Sequence, residues 1–403
     1  MRRMAMAVGI VTLLTGCLQE IRIDDPDGSP PPFDAGPAPD AGFVPPAGKC
    51  TEATAVDLLF MVDNSNSTTE EQASLTAELP ALVSSLIAPP DDDGDGEPDW
   101  LPVLDLRVGV ITTDMGTGGA TVPTCARSDF GDDGVLLTRA GDRPGCAASY
   151  PAPFAFDPAG GVTAEAFAAE VACVAGVGTG GCGFEQPLEA ILKALSPGAP
   201  TAYTASDYVP PEFFRGSLPH GDLTNAGFVR ADSLLMVVAL TDEEDCSAAD
   251  PDLFNPTSVT YGATDLNLRC FRHADEALHP VSRYVQGLTA LRAQRPDLFA
   301  FALIAGVPTD LTVPIQTAPN FDDILSDPRM EERIDPEMPT RLIPSCDTPG
   351  RGIAFPPRRL VEVARGLGPA RSTVQSICAS DFGPTRDAIA RLIGRRACST
   401  FQE

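Results

Sequence analysis

The chain has 403 residues, with 56 Asp and Glu against 28 Lys and Arg and a formal net charge of −28. That balance argues against nucleic acid and against an anionic lipid surface as partners, because both are bound through clustered Lys and Arg. It suits solubility and divalent cations instead.

Arg2 and Arg3 precede an apolar stretch, Met4 to Leu14, that runs into Leu14-Thr15-Gly16-Cys17, the layout of a signal peptide. The stretch is too short for a membrane span, which needs about 20 apolar residues, and no later segment is long and apolar enough. The quartet resembles a bacterial lipobox. The resemblance implies that residues 1–16 are a lipoprotein signal peptide cleaved before Cys17, with acylation of that thiol. Leu18 stands where an aspartate would hold a lipoprotein at the inner membrane, so it implies a cell-envelope protein of the outer membrane, on either face. Residues 17–48 comprise this cysteine and a linker rich in Pro, Asp, Gly and Ala, including Pro30-Pro31-Pro32. Such a composition buries too little apolar surface to offset its ordering entropy, so the segment reads as a tether.

From residue 49 to 403 the pattern is that of one domain. Near-continuous apolar runs at Val56–Val62, Leu106–Thr112, Leu234–Leu240, Leu298–Ile304 and, more weakly, Thr373–Ile377 read as strands covered on both faces. Val135–Thr138 reads as a short edge strand. Helical stretches lie between them: Glu70–Ile87 behind a Thr68-x-x-Glu71 capping box, Ala164–Val174, Phe184–Leu195, Val281–Ala293, Arg359–Gly366 and Arg386–Arg396. Alternation of this kind predicts an α/β fold, a doubly wound, mainly parallel, Rossmann-like sheet flanked by helices. Pro- and Gly-rich insertions interrupt it near 115–160, 196–230 and 306–356.

Of 11 cysteines, assigning Cys17 to lipid leaves Cys50, Cys125, Cys146, Cys173, Cys182, Cys246, Cys270, Cys346, Cys378 and Cys398. An even set suits disulfides in an oxidising compartment, restraining the insertions. No C-x-x-C pair is present and only His220, His273 and His279 are available, which disfavours zinc. Proximity suggests Cys125 with Cys146, Cys173 with Cys182 and Cys246 with Cys270, although spacing does not determine connectivity.

In open α/β sheets ligands bind at the carboxyl ends of the strands near the topological switch point. The first such place carries Asp63-Asn64-Ser65-Asn66-Ser67, directly after Asp57-Leu58-Leu59-Phe60-Met61-Val62. A carboxylate and two hydroxyls at alternate positions of a strand-to-helix turn can converge on a small hard cation, although Asp and Ser are also ordinary turn and cap residues. This D-x-S-x-S resembles the metal-ion-dependent adhesion site of von Willebrand factor A domains. Leu234 to Leu240 followed by Thr241-Asp242 is similar to the family's fourth strand. The resemblance implies a domain of this type over 49–403 and a Mg²⁺ or Mn²⁺ site formed by Asp63, Ser65, Ser67, Asp242 and a threonine. Thr179, in Gly178-Thr179-Gly180-Gly181-Cys182-Gly183-Phe184-Glu185, is the hydroxyl available in the corresponding loop, with Glu185 as a substitute. Glu243-Glu244-Asp245 replaces the glycine usual after the aspartate. Phe184-Glu185 behind Gly181-Cys182-Gly183, and Ser376-Ile377-Cys378 followed by Asp381-Phe382, also resemble bacterial, myxobacterial-type lipoproteins with this domain.

A separate acidic loop, Asp91-Asp92-Asp93-Gly94-Asp95-Gly96-Glu97-Pro98-Asp99, sets Asp91, Asp93, Asp95 and Asp99 at positions 1, 3, 5 and 9 of a calcium loop with Gly96 at 6. Pro102 occupies position 12, so an EF-hand is excluded. A structural Ca²⁺ site and a solvated acidic turn both stay open.

The implied function is non-enzymatic, metal-dependent protein binding or adhesion at the cell envelope, a partner's Asp or Glu completing the metal shell and the membrane engaged through the lipid alone. The rivals are a secreted hydrolase, for which neither G-x-S-x-G nor H-E-x-x-H is present, and a calcium-stabilised structural lipoprotein with a vestigial adhesion site.

Overall fold

The computed structural model describes residues 55–397 apart from 93, 141–142, 313–317 and 350–351. The signal segment, Cys17, the linker, Cys50 and Cys398 lie outside the described residues. Among these residues eight strands form in chain order: β1 (Val56–Val62), β2 (Leu106–Thr112), β3 (Phe154–Ala155), β4 (Leu234–Leu240), β5 (Phe299–Ala305), β6 (Cys346–Thr348), β7 (Gly352–Ala354) and β8 (Ser372–Ser376). The nine α-helices among these residues are α1 (Thr69–Ile87), α2 (Ala164–Ala175), α3 (Pro187–Leu195), α4 (Arg269–Arg272), α5 (Ala274–Ala277), α6 (Val281–Ala290), α7 (Phe321–Ser326), α8 (Arg358–Leu367) and α9 (Gly383–Arg396).

The apolar runs do what their hydrophobicity demands. β1, β4 and β5 are buried along their whole length, so each must be covered on both faces. One face, carrying Leu58, Phe60 and Val62, packs against α1, α2 and α9; the other, carrying Leu59 and Met61, packs against α3, α6 and α8. The result is a mixed α/β fold with a six-stranded sheet in the order β3-β2-β1-β4-β5-β8. All its pairings are parallel except β2 with β3. The order turns back between β1 and β4, which places the topological switch point there.

The edge differs from expectation. Val135–Thr138 is not a strand; β3 pairs with β2 instead. Leu137 N does donate to Val110 O at 2.8 Å, while the neighbouring Leu136 N donates to the Asn225 side chain at 2.9 Å. The helix expected from Phe184 begins at Pro187, whose fixed φ and missing N–H suit a first helical turn.

Among the described residues four disulfides hold the insertions: Cys125–Cys182, Cys146–Cys173, Cys246–Cys270 and Cys346–Cys378. The pairings Cys125–Cys146 and Cys173–Cys182 are therefore corrected, while Cys246–Cys270 agrees. The insertion folds back over the sheet, so Cys125 meets the loop before α3 and Cys146 meets α2; distance along the chain does not measure that return. Among the described residues no helix is long and apolar enough to cross a membrane.

Candidate metal centre

Strand register builds the site. Val62 pairs with Thr112 of β2 and with Leu240 of β4, so the residues that follow, Asp63, Thr113 and Thr241, emerge side by side at the switch point. Asp63 N still donates to Leu240 O at 2.9 Å, which carries the carboxylate one residue past the sheet. Thr241 Oγ1 donates to Asp63 Oδ2 at 2.6 Å, and Ser65 N donates to Oδ1 at 2.8 Å. The Thr113 hydroxyl stands 3.5 Å from Oδ1. The Ser65 and Ser67 hydroxyl oxygens are 3.1 Å apart, and Ser67 hydrogen-bonds the Asp242 carboxyl. Asp63, Ser65, Ser67 and Asp242 thus come together from two segments far apart in the chain.

The turn is held from beneath. The capping box expected at Thr68 does not cap α1. Thr68 Oγ1 is directed back at the Asp63 and Ser65 carbonyl oxygens, 3.0 and 3.1 Å away. Gln72, one turn into α1, donates to Asp63 O at 2.8 Å and to Gly178 O at 2.9 Å, and its Oε1 accepts from Gly178 N at 3.1 Å. Gly181 N donates to Asn64 O at 2.8 Å, which draws the 178–181 loop onto the turn. A Cβ at Gly181 would sit 2.1 Å from Asn64 Oδ1, so this approach requires glycine. Thr179 is half-buried in that loop, and no hydrogen bond joins it to the other four site residues. The hydroxyls that reach Asp63 from neighbouring strands are Thr113 and Thr241; both immediately follow apolar runs, the signal by which the sequence marks them.

Burial dominates the electrostatics. Asp63 is fully buried and Asp242 is 1 % exposed. Burial raises the Asp63 carboxyl above its ordinary range, against hydrogen bonds from Thr241, Ser65 and Thr113. Asp242 is raised well above it by burial and then by the charges of Asp63 and Glu243. Glu185 is raised by burial, Glu243 and Asp63. Glu243 is pushed up to about 7 by burial and the charge of Asp63, partly offset by a hydrogen bond with Glu185. No cation is among the principal influences on these four acids, and Asp242 Oδ1 is buried without a hydrogen-bond partner.

That orphaned oxygen is the fit test for a metal. An unpaired buried carboxylate costs several kcal/mol (about 3–5), whereas a hard divalent cation takes oxygens of this type, carboxylates and hydroxyls together. Two carboxylates and the serine hydroxyls fit Mg²⁺ or Mn²⁺ in their donor chemistry. No group of three or more His, Cys, Asp or Glu side chains is arranged to hold a metal among the described residues; this set relies on hydroxyls.

The acidic loop before β2 is internally engaged. Asp91 accepts from Gly94 N and Gly96 N at 2.9 and 3.0 Å, and Asp95 accepts from Glu97 N at 2.8 Å. Arg391 of α9 bonds Asp99 Oδ2 at 2.9 Å and also pairs with Asp92. Asp93 lies outside the described residues. The three histidines are occupied elsewhere: His220 with Asp133 and Thr224, His273 with Thr264 and Glu276, His279 beside Glu189.

A cleft of about 360 Å³ opens next to the turn, with Ser65, Asn66, Ser67, Glu185 and Glu243 among the residues that line it. No family model matches the chain, and no curated protein matches it.

Proposed function

We propose that this protein is a non-enzymatic, metal-dependent binding module of von Willebrand factor A type. Asp63, Ser65, Ser67 and Asp242 would hold Mg²⁺ or Mn²⁺, with Thr113 and Thr241 orienting Asp63. The observation that carries the reading is the buried, unpartnered Asp242 Oδ1 beside Asp63, with no protein cation among the principal influences on either. Two carboxylates and neutral hydroxyls leave room for an acidic side chain of a protein partner to complete the shell, which is the chemistry the metal supplies. The lipobox-like Leu14 to Cys17 supports a lipid-anchored location in the cell envelope, at the outer membrane, with residues 17–48 as tether.

Binding of the envelope partner in Mg²⁺ should vanish in chelator and in Asp63→Ala; a partner retained undiminished under both conditions refutes the reading. A secreted hydrolase predicts turnover of peptides or esters, which a direct assay reads. Calcium at residues 91–99, with the adhesion site vestigial, predicts Ca²⁺-dependent stability and no partner.

A further inference from the structure

α3 packs Leu188, Ile191 and Leu195 into the same apolar cluster as Leu59 and Met61 of β1. Gln186, Glu189 and Lys193 follow the three- and four-residue spacing that aligns side chains along another face. In an open α/β fold such a polar face meets water. Here every residue of α3 is buried, because the insertions cross over the helix, and they leave above Gln186, Glu189 and Lys193 a cavity of about 280 Å³. Phe130, Phe213, Phe214 and Phe254 make its other walls aromatic. Gly118 closes them, since a Cβ there would sit 2.6 Å from Pro251 Cβ. The volume suits a small ligand, at the lower end of the usual range of about 300–1,000 Å³.

The ring faces already have cations. Lys193 Nζ lies 5.5 and 5.7 Å from the Phe130 and Phe213 centroids, the Arg283 guanidinium 5.4 Å from Phe213 and that of Arg215 4.7 Å from Phe214. That disfavours a cationic guest, which would need those faces for itself. The buried charges are answered in pairs. Lys193 Nζ donates to Asp133 Oδ1 at 2.5 Å and to Ser217 Oγ at 2.7 Å. Glu189 accepts from Arg283 at 2.9 and 3.1 Å and from the Tyr284 hydroxyl at 3.0 Å. Arg215 differs: it is exposed, its guanidinium donates to Gly118 O at 2.8 Å, and among the described residues it forms no ion pair with a carboxylate. Its backbone is left-handed, with φ 52° and ψ 28°, a conformation unfavourable for a residue with a Cβ and found preferentially where ligands are held. Glu212, also exposed, gives its carbonyl oxygen to Arg283 at 2.7 Å.

We propose that this cavity binds a small carboxylate with an aryl or branched alkyl body, the apolar part among the four phenylalanine rings and the carboxylate on the Arg215 guanidinium at the mouth. A plain carboxylic acid and an amino acid share that chemistry, and Glu212 is the group that would favour the second. None of the proposed metal ligands lines the cavity, so the site stands apart from the metal reading.

The test is calorimetric titration of the full chain in EDTA, where a carboxylate cannot register on a metal, with phenylpropionate, its amide, phenylpropylamine and L-phenylalanine. The acid should bind about tenfold more tightly than the amide, the contribution of one charge-assisted pair, and the amine should not bind. Arg215→Gln should remove the tenfold preference and leave the amide unchanged. Ala249→Phe, which sets a ring at an exposed position of the lining, should abolish binding of acid and amide alike, and unchanged melting confirms that both variants fold. L-Phenylalanine binding more tightly than phenylpropionate, with the gain lost in Glu212→Gln, assigns the site to amino acids; the reverse order assigns it to plain carboxylates. Equal binding of acid and amide, binding of the amine, a preference kept by Arg215→Gln, binding kept by Ala249→Phe, or no binding of any probe overturns the proposal and leaves the metal reading untouched.

Discussion

β1 carries a buried aspartate at each end, and the two are treated in opposite ways. Asp57, at the amino end, is answered by the Arg230 side chain at 2.7 Å, by Arg230 N at 2.7 Å and by the Ser233 hydroxyl. Burial still raises its carboxyl, and the Arg230 charge is the main influence pulling it back. Asp63, one residue past the carboxyl end, is met by hydroxyls and an amide, and its charged neighbours are other acids. The same strand thus carries one carboxylate met by a protein cation and one met by hydroxyls and an amide alone. A buried charge without its counter-charge is a liability, and it persists where a ligand supplies the missing charge.

The largest expected effect comes from opening the closed end. Arg230→Ala should destabilise the protein by about 3–5 kcal/mol, since Asp57 would be left buried and unpaired; denaturant unfolding should show the loss equally in Mg²⁺ and in EDTA. Asp63→Asn, which keeps hydrogen-bonding capacity but removes a charge, should leave stability in EDTA unchanged or higher. A loss there as large as that of Arg230→Ala would mean that the two ends do not differ.

Next in size is the metal response. Mg²⁺ at 100 times its dissociation constant should stabilise the native state by about 2.7 kcal/mol through mass action, read as a rise in Tm. Asp63→Asn and Asp242→Asn should each abolish it, and Arg230→Ala should not. An equal rise in all three would reduce the response to general charge screening.

Gly181→Ala sharpens the comparison further. The added methyl would press on Asn64, at a cost of about 1–3 kcal/mol, and should weaken the Mg²⁺ response by shifting the turn. An unaltered response would show that the 178–181 loop is not part of the site's support.

The smallest effect is in pH. Glu243 is pushed up to about 7, above its ordinary value, so its protonated form is favoured by folding. Its contribution is fully present below the unfolded pKa and is lost as pH rises through about 7. In EDTA, stability should therefore fall with a slope of at most about 1.4 kcal/mol per pH unit for this proton, measured as the denaturation midpoint across the range. Glu243→Gln should flatten that slope; a slope unchanged in the variant would assign it to another group.

Much of the scaffold was legible because burial on both faces writes itself into a strand as unbroken hydrophobicity. The sequence runs at β1, β2 and β4 coincide with the observed strands, and β5 and β8 differ by one residue at each end. Asp63, Ser65, Ser67 and Asp242 were legible for a related reason, since each lies at or just beyond the end of such a run. Thr113 and Thr241 were there to be read by the same rule. Thr68 was misread because a local pattern, Ser or Thr three residues before Glu, does not record whether the hydroxyl finds a better acceptor behind it.

The amino-acid order by itself determined what depends on neighbours in the chain: which segments are apolar on both sides, that a helix starts at Ala164, and that Asp63 and two serines share one turn. Tertiary structure alone decided the strand order and register that bring Thr241 and Asp242 to Asp63, the return of the insertions that pairs Cys125 with Cys182, and the gathering of Asp63, Asp242, Glu185 and Glu243 with no cation of the described residues among the principal influences on them. Those facts are sums over groups distant in sequence, and such sums exist only once the chain has closed on itself.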